Sequence, residues 1–376
     1  MAEYSFFNSP IFQEALKEVG YRMDAASQRN VEIFGKTWYG KHFAIADYAK
    51  TKDEFSALLG QMHLDIAAST INRNAAPPVR PLDGFGLVKA EMLTFAHTYP
   101  MQDEDIRAIV EYSRYYNRAS EKQQVVDYIT NKLWNVRQKA INGVNERLDI
   151  MILGLLSNEG KYTFTEENDP NSPFIGKTIS FGFDESHAAK VTVDWTDANK
   201  DNIDILADIA AVIENADLKP TKMLMRRSTL NFILSTPILK RYINGTDNAS
   251  RLIVEAQVNA ELERLGLPTI EVVDKLSRTI NGETQYKFNP FTDGKILFIP
   301  EEKLGTIEHL ITNHDLGIDD DGVTYGKYNH IEVASWMQGI KEGTNHTEFV
   351  SASLTGTPVW ENALDCYSLD VLPASR

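Results

Sequence analysis

The stretch from Ser120 to Ser157, SEKQQVVDYITNKLWNVRQKAINGVNERLDIMILGLLS, decides how this chain is built. Apolar residues recur at Val126, Ile129, Leu133, Val136, Ala140, Val144, Leu148, Met151 and Leu155. The steps are three and four throughout, the spacing of one helical face. Ser120 followed by Gln123 is a capping-box pattern at the start, and Asn158 and Gly160 supply the stop. The spacing predicts one helix over about 120–157, roughly 50 Å long at ~1.5 Å per residue. That is several times the average helix length. Gly143 in its middle costs about 1 kcal/mol relative to Ala. A compact enzyme domain rarely needs such a helix, whereas an extended, plate-like subunit does. A coiled coil is the alternative, and Ala140 and Gly143 weigh against it by thinning the stripe.

Before this helix the chain reads differently. Residues 1 to about 60 carry short apolar clusters, Tyr4-Ser5-Phe6-Phe7, Ile11-Phe12, Val31-Glu32-Ile33-Phe34 and Trp38-Tyr39, between polar stretches. Pro10 opens a short helix through Val19. Two readings stay open here: an arm lying on a neighbouring subunit, or the first part of the main core. Residues 74–89 hold Pro77, Pro78, Pro81, Gly84 and Gly86, which exclude a helix. They predict extended chain or a long hairpin, with Glu91 to Tyr99 as the return strand.

After Gly160 strands are expected over 178–183 and 190–195, and a helix over 201–215. A short strand over 222–225 follows Pro220. Ser228 caps a helix through Leu234, Pro237 starts another through Ile243, and a third runs from Ser250 to Leu265. Strands are expected over 269–273, 286–288 and 295–299. Helices alternating with strands across 200–300 mark an α/β or α+β unit. From Thr306 on the chain is mostly strand-like, most clearly over 331–336 and 366–372.

Bulk properties bound the function. The 376 residues suit two domains or one large one. With 17 Phe, 15 Tyr and 5 Trp the chain holds enough large side chains for a sizeable core. The net charge of −15 argues against a nucleic-acid reader, which needs a basic stripe. It suits a container that must not adhere to DNA held inside. Cys366 is the single cysteine, so no intrachain disulfide forms. Met1-Ala2-Glu3-Tyr4 begins no basic and then apolar leader, so no secretory signal is expected, and no apolar run is long enough for a membrane span.

Motifs for chemistry are missing. Gly84-Phe85-Gly86 has Lys89 where a dinucleotide fingerprint needs glycine, and Gly176-Lys177-Thr178 has Asn171 where a phosphate loop needs glycine. The eight histidines, His42, His63, His97, His187, His309, His314, His330 and His346, show no helical metal-ligand pair. Asp319-Asp320-Asp321-Gly322 resembles half a calcium loop, but Gly317 and Tyr328 stand where its first and last carboxylates belong. A solvated acidic turn is the better reading. There is no nucleophile elbow, and Cys366 reads as a buried, inert thiol. Arg226-Arg227 and Lys240-Arg241 are compact basic spots that fit helix ends, a subunit interface or an approach to DNA. No catalytic, cofactor-binding or metal-ligating residue is expected.

The order of segments resembles the major capsid protein E family of tailed phages, the lambda-like branch of the Hong Kong 97 capsid fold. The resemblance runs through Thr98-Tyr99-Pro100-Met101 with Asp105-Ile106, then Glu146-Arg147-Leu148 to Gly160-Lys161-Tyr162. It continues through Ile179 to Phe183, His187 and Trp195, then Asp204-Ile205 and Pro220 to Met225. Gly266-Leu267-Pro268, Gly294 to Pro300, Leu304-Gly305, and Pro358-Val359 through Asp365 to Val371 complete it. No single motif is specific; their order over roughly 95–372 is.

The resemblance implies an α+β fold in five parts. These are an N-terminal arm (1–60), an extended loop (61–105), a peripheral domain (106–195) with a spine helix at about 120–157, an axial domain (196–330), and C-terminal strands (331–376) returning to the peripheral and axial core. It implies a structural subunit that assembles with itself into pentamers and hexamers, with no enzyme activity and no cofactor. The implied shell is icosahedral, assembles as a smaller precursor in the bacterial host cytoplasm, and encloses double-stranded DNA without reading its sequence. Its further partners are a separate scaffolding protein, a portal and decoration proteins; no membrane is involved. Two other readings remain, an encapsulin-like compartment shell and a cytosolic α+β enzyme.

Overall fold

A computed structural model describes residues 37–51, 54–59, 86–101, 104, 107–108, 111, 122–214, 216–245, 251–300, 302–318, 320, 323–339 and 346–372. Most of the expected arm and loop, the helix after Pro10, and Ser120 lie outside these residues.

In chain order come β1 (Phe43–Ile45), the antiparallel pair β2 (Glu54–Leu59) and β3 (Gly86–Glu91), and β4 (Leu93–Met101). The helix α1 (Lys122–Ser157) is followed by the pair β5 (Lys161–Thr163) and β6 (Thr178–Ser180), then β7 (Ala188–Lys190). Next are α2 (Ile205–Glu214), β8 (Lys222–Arg226), α3 (Arg227–Ser235), α4 (Pro237–Asn244), α5 (Glu255–Arg264) and β9 (Thr269–Val273). The hairpin β10 (Ser277–Asn281) and β11 (Thr284–Phe288) leads to β12 (Lys295–Ile299) and β13 (Gly305–His309). The chain closes with β14 (Val323–Tyr328), β15 (Ile331–Gly339), β16 (His346–Trp360) and β17 (Tyr367–Asp370).

The expected long helix is present, spanning ~54 Å at 1.5 Å per residue. Its stripe of Val126, Ile129, Ala140, Val144, Leu148, Met151 and Leu155 is buried. From Leu148 to Ser157 every residue is buried, so the last turns form a central rod rather than an amphipathic face. Gly143 has a packing reason: a Cβ there would lie 2.8 Å from the His97 ring of β4. The stop is as expected, with Gly160 at φ +73° donating its N–H to the Leu155 carbonyl at 3.1 Å. Arg137 is buried in α1 and donates to Ser335 Oγ of β15 at 3.0 Å. Burial pushes its guanidinium down to about 10.

Two sheets flank this rod. The six-stranded sheet runs β1-β13-β16-β15-β14, with β4 also paired to β16. The five-stranded sheet runs β7-β17-β12-β8-β9. Both of its faces are buried, and the alternation of side chains shows it. Leu224, Val273, Leu297 and Ile299 join the core around α1. Met223, Met225, Ile270, Ile296 and Phe298 join a second core with Ile209 of α2, Leu230 of α3, Leu239 of α4 and Val258 of α5.

Several expectations need correction. Of the two readings open for the N-terminal region, the described residues 37–50 follow the second: Trp38, Tyr39 and Phe43 are buried in this chain's own core, and β1 pairs in parallel with β13. Leu93 and Phe95 of β4 are likewise buried in it. The strand expected over 190–195 ends at Lys190, because Val191 and Trp195 bond singly to the carbonyls of Asp370 and Val371 and the chain bends between. The strand over 178–183 ends at Ser180. The helix expected from Ser250 starts at Glu255, where the Gln257 side chain accepts the Val254 N–H at 3.1 Å. The strand at 286–288 is the second half of a hairpin that begins at Ser277.

Candidate functional site

The residues weighed for chemistry do not converge. Cys366 is fully buried and donates to the Asn362 carbonyl at 3.2 Å. Burial pushes its thiol far up. A thiol reagent is therefore expected to label Cys366 only after denaturant is added; complete labelling of the native protein within minutes would contradict this.

Several of the described histidines pack against other rings or the backbone. His309 and His330 lie ring against ring at 4.4 Å, and His187 stacks on Tyr367 at 4.3 Å. His97 packs over Gly143, and His314 faces Asp315. His63 lies outside the described residues, as do Asp319, Asp321 and Gly322 of the acidic turn; Asp320 accepts from the Tyr325 hydroxyl at 2.6 Å. Among the described residues no group of three His, Cys, Asp or Glu side chains could hold a metal ion. Lys177 of the phosphate-loop-like tripeptide lies over the Phe174 ring. Among the described residues no helix is long and apolar enough to cross a membrane.

One buried polar hub organises the core. Asp149 of α1, 1% exposed, accepts the backbone N–H groups of Trp38 at 3.1 Å and Tyr39 at 2.8 Å. Lys275, on the turn between β9 and β10, reaches Asp149 at 2.8 Å and Glu146 at 2.7 Å. The Tyr39 hydroxyl donates to Asn145 at 2.8 Å. Burial pushes the Asp149 carboxyl up, against the pull of Lys275 and the two N–H donors. Burial lowers the Lys275 ammonium, but Asp149 and Glu146 outweigh it and hold it up. Three distant stretches of chain meet at this carboxylate.

The surface carries the other signal. Tyr242, Leu252, Val254 and Leu265 are 47%, 84%, 56% and 40% exposed, all around α4 and α5. Arg264 at the end of α5 bonds the Tyr242 hydroxyl of α4 at 3.1 Å, and Asn244 bonds the Arg251 carbonyl at 3.1 Å, so they form one region. A groove of about 460 Å³ continues it between α2 and α4, lined by Leu206, Ala210, Ile238, Tyr242, Leu265 and Leu267. Of the two basic spots beside it, Arg227 pairs with Glu255 at 3.0 Å and Asp274 at 3.7 Å. Arg241 of the second is exposed and bonds its own helix at the Pro237 carbonyl. Sequence periodicity marks the buried side of these helices and is silent about apolar residues on the outer side, so this region was not anticipated.

The described residues thus combine a central rod, two flanking sheets and an apolar outer region. The family model for phage major capsid protein E matches residues 62–323, more than half of the chain. The chain belongs to that family. No curated protein sequence matches it. Among solved structures, a protein described as the capsid protein of an E. coli CFT073 prophage aligns over 94% of this chain and 98% of its own, at 12% identity and a TM-score of 0.54. A phage-related protein from Bordetella bronchiseptica RB50 aligns over 95% and 98%, at 13% identity and a TM-score of 0.48.

The fold is thus the Hong Kong 97-type capsid fold expected from the order of segments. As a phage major capsid protein, the chain is a structural subunit of a virion capsid, assembles with copies of itself, and is not an enzyme. Family membership decides against the encapsulin-like and enzyme readings.

Proposed function

We propose that copies of this capsid protein join through the apolar region of α2, α4 and α5, as rings of five and six, into an icosahedral shell around double-stranded DNA. In this reading residues 196–330 form the axial domain, meeting their counterparts at the ring axes. Residues 106–195 form the peripheral domain, and the strands after 331 return to both. The arm (1–60) and loop (61–105) reach neighbouring copies through the parts outside residues 37–50 and β4, which are rooted in this subunit. The observation that carries the reading is the exposure of Tyr242, Leu252, Val254 and Leu265 beside a groove. An apolar region of that kind marks a contact surface, and rings of identical chains need head-to-tail contacts. The net charge of −15 supports enclosing DNA without adhering to it. Assembly takes place in the host cytoplasm with a separate scaffolding protein and a portal.

The double substitution Leu252→Asp and Val254→Asp tests the contact. Both side chains are largely exposed, so the thermal midpoint of the isolated subunit is expected to stay within about 2 °C, in keeping with surface substitutions of ±0.5 kcal/mol. Shell yield, read by sedimentation and negative-stain electron microscopy with the scaffolding protein present, is expected to fall at least about tenfold, the effect of losing ~1.4 kcal/mol per contact. Undiminished shell formation by a folded double variant would sink the proposed contact.

A further inference from the structure

His42 stands apart from the other histidines. It is fully buried at the seam between the N-terminal segment and the five-stranded sheet. Its Nδ1 lies 2.6 Å from the Glu302 carbonyl oxygen, so Nδ1 carries a hydrogen and donates it. In the neutral ring Nε2 is then a bare lone pair. Nε2 is buried, has no hydrogen-bond partner, and faces Glu271 Oε1 of β9 at 3.8 Å. A lone pair opposite a carboxylate in a buried place is repulsive; a proton on Nε2 turns the same contact into an ion pair. The Trp38 ring lies 4.5 Å from the imidazole, centroid to centroid, and an aromatic face favours the cation.

The surroundings supply charge from each element packed there. Lys41 of the same segment reaches Glu271 at 3.2 Å, and Lys222 of β8 reaches it at 3.4 Å. Lys222 also bonds the Glu302 carboxylate on the connection between β12 and β13. Lys222 and Glu271 leave the sheet on the face shared by Leu224 and Val273, toward the core where Trp38 and Phe43 pack. His42, and after it Lys41, hold the Glu271 carboxyl down at about 2 although burial raises it.

We propose that His42 is a protonation-sensitive latch, fastening the N-terminal segment to the five-stranded sheet when Nε2 carries a proton. The latch acts within one subunit and goes beyond the assembly reading. Its sign follows from the two partners. The histidine contribution is present while Nε2 holds a proton and is lost when that proton leaves. The Glu271 contribution is present above the ordinary glutamate range and is lost only as pH falls through about 2. The latch is therefore fastened only where Glu271 is ionised and Nε2 holds its proton.

Hydrogen–deuterium exchange of residues 38–45 in the full-length protein, corrected for intrinsic rates, reads the latch. From about pH 7.5 to about pH 5.5, across the histidine range, protection in the unaltered protein is expected to rise about threefold, as for a modest ion pair. Glu271→Gln keeps the shape and removes the charge; His42→Asn keeps a donor toward Glu302 and cannot titrate. Each is expected to abolish the rise. Absence of the rise in the unaltered protein, or an undiminished rise in either variant, overturns the proposal. If His42→Asn fails to fold, Glu271→Gln decides alone, because Glu271 is partly exposed at 20%.

Discussion

Replacing Asp149 by Ala is expected to cost about 3–5 kcal/mol of stability, the range for breaking a buried ion pair by removing one partner. The substitution leaves the Trp38 and Tyr39 N–H groups without their acceptor, and a buried polar group left unsatisfied costs about 1–3 kcal/mol. It also takes one of two carboxylates from Lys275, which keeps Glu146. The loss is not of one contact but of the point where the N-terminal segment, α1 and the β9–β10 turn are joined. Asp149→Asn retains one carbonyl acceptor and is expected to lose less. Lys275→Met leaves both N–H bonds in place but takes the cation from the buried Asp149 carboxylate, and is expected to lose less than Asp149→Ala. Chemical denaturation of the isolated subunit reads this ranking, and equal losses in all three would show that the N–H bonds contribute nothing.

Gly305→Ala is expected to cost at least about 3 kcal/mol, above the usual 1–3 kcal/mol for overpacking. A Cβ at Gly305 would lie 2.0 Å from the Val359 carbonyl oxygen and 3.1 Å from the Glu361 nitrogen. Those are backbone atoms, which cannot rotate aside as a side chain can. β13 is held between β1 and β16, so no free edge lets the strand retreat. The midpoint of thermal unfolding is expected to fall by at least about 4 °C, at roughly 1.3 °C per kcal/mol for a chain of this size. Gly326→Ala in β14 is the control, since its Cβ would meet only the Val333 carbonyl oxygen at 3.8 Å, an ordinary contact. A midpoint for Gly305→Ala no lower than that of the control would contradict the strand spacing described above.

Where local pattern and tertiary packing agree, the sequence reads correctly. The α1 stripe and its stop at Gly160 are of this kind, as are β9 and β12, whose apolar runs are buried on both faces. Where one residue is held by a distant partner, the pattern misleads. Residues 191–195 alternate like a strand, yet Trp195 is drawn off the sheet by its backbone bond to Val371 and by its indole N–H bond to Asp208 at 2.9 Å. The 15-residue β16 was missed as a unit because Ser351, Ser353, Thr355, Gly356 and Pro358 break any apolar alternation. Its pairing with β4, β13 and β15 supplies the order that its side chains do not advertise. The Asp149 hub could not be read either: nothing in the sequence says that one acid among 53 Asp and Glu meets two N–H groups more than 100 positions away. The family, by contrast, was accessible from the order of individually weak segments, because an extended subunit keeps its long helix and its strand sequence in a fixed succession.

The central claim, that this chain builds a phage shell, is tested most directly by cryo-electron microscopy of particles from bacteria expressing it, alone and with the scaffolding protein proposed above. The account predicts closed icosahedral shells in which the α4–α5 region, with Tyr242, Leu252, Val254 and Leu265, is buried against a neighbouring copy around the fivefold and sixfold positions. Folded protein that stays monomeric under these conditions, or shells that leave this region open to solvent, would contradict it.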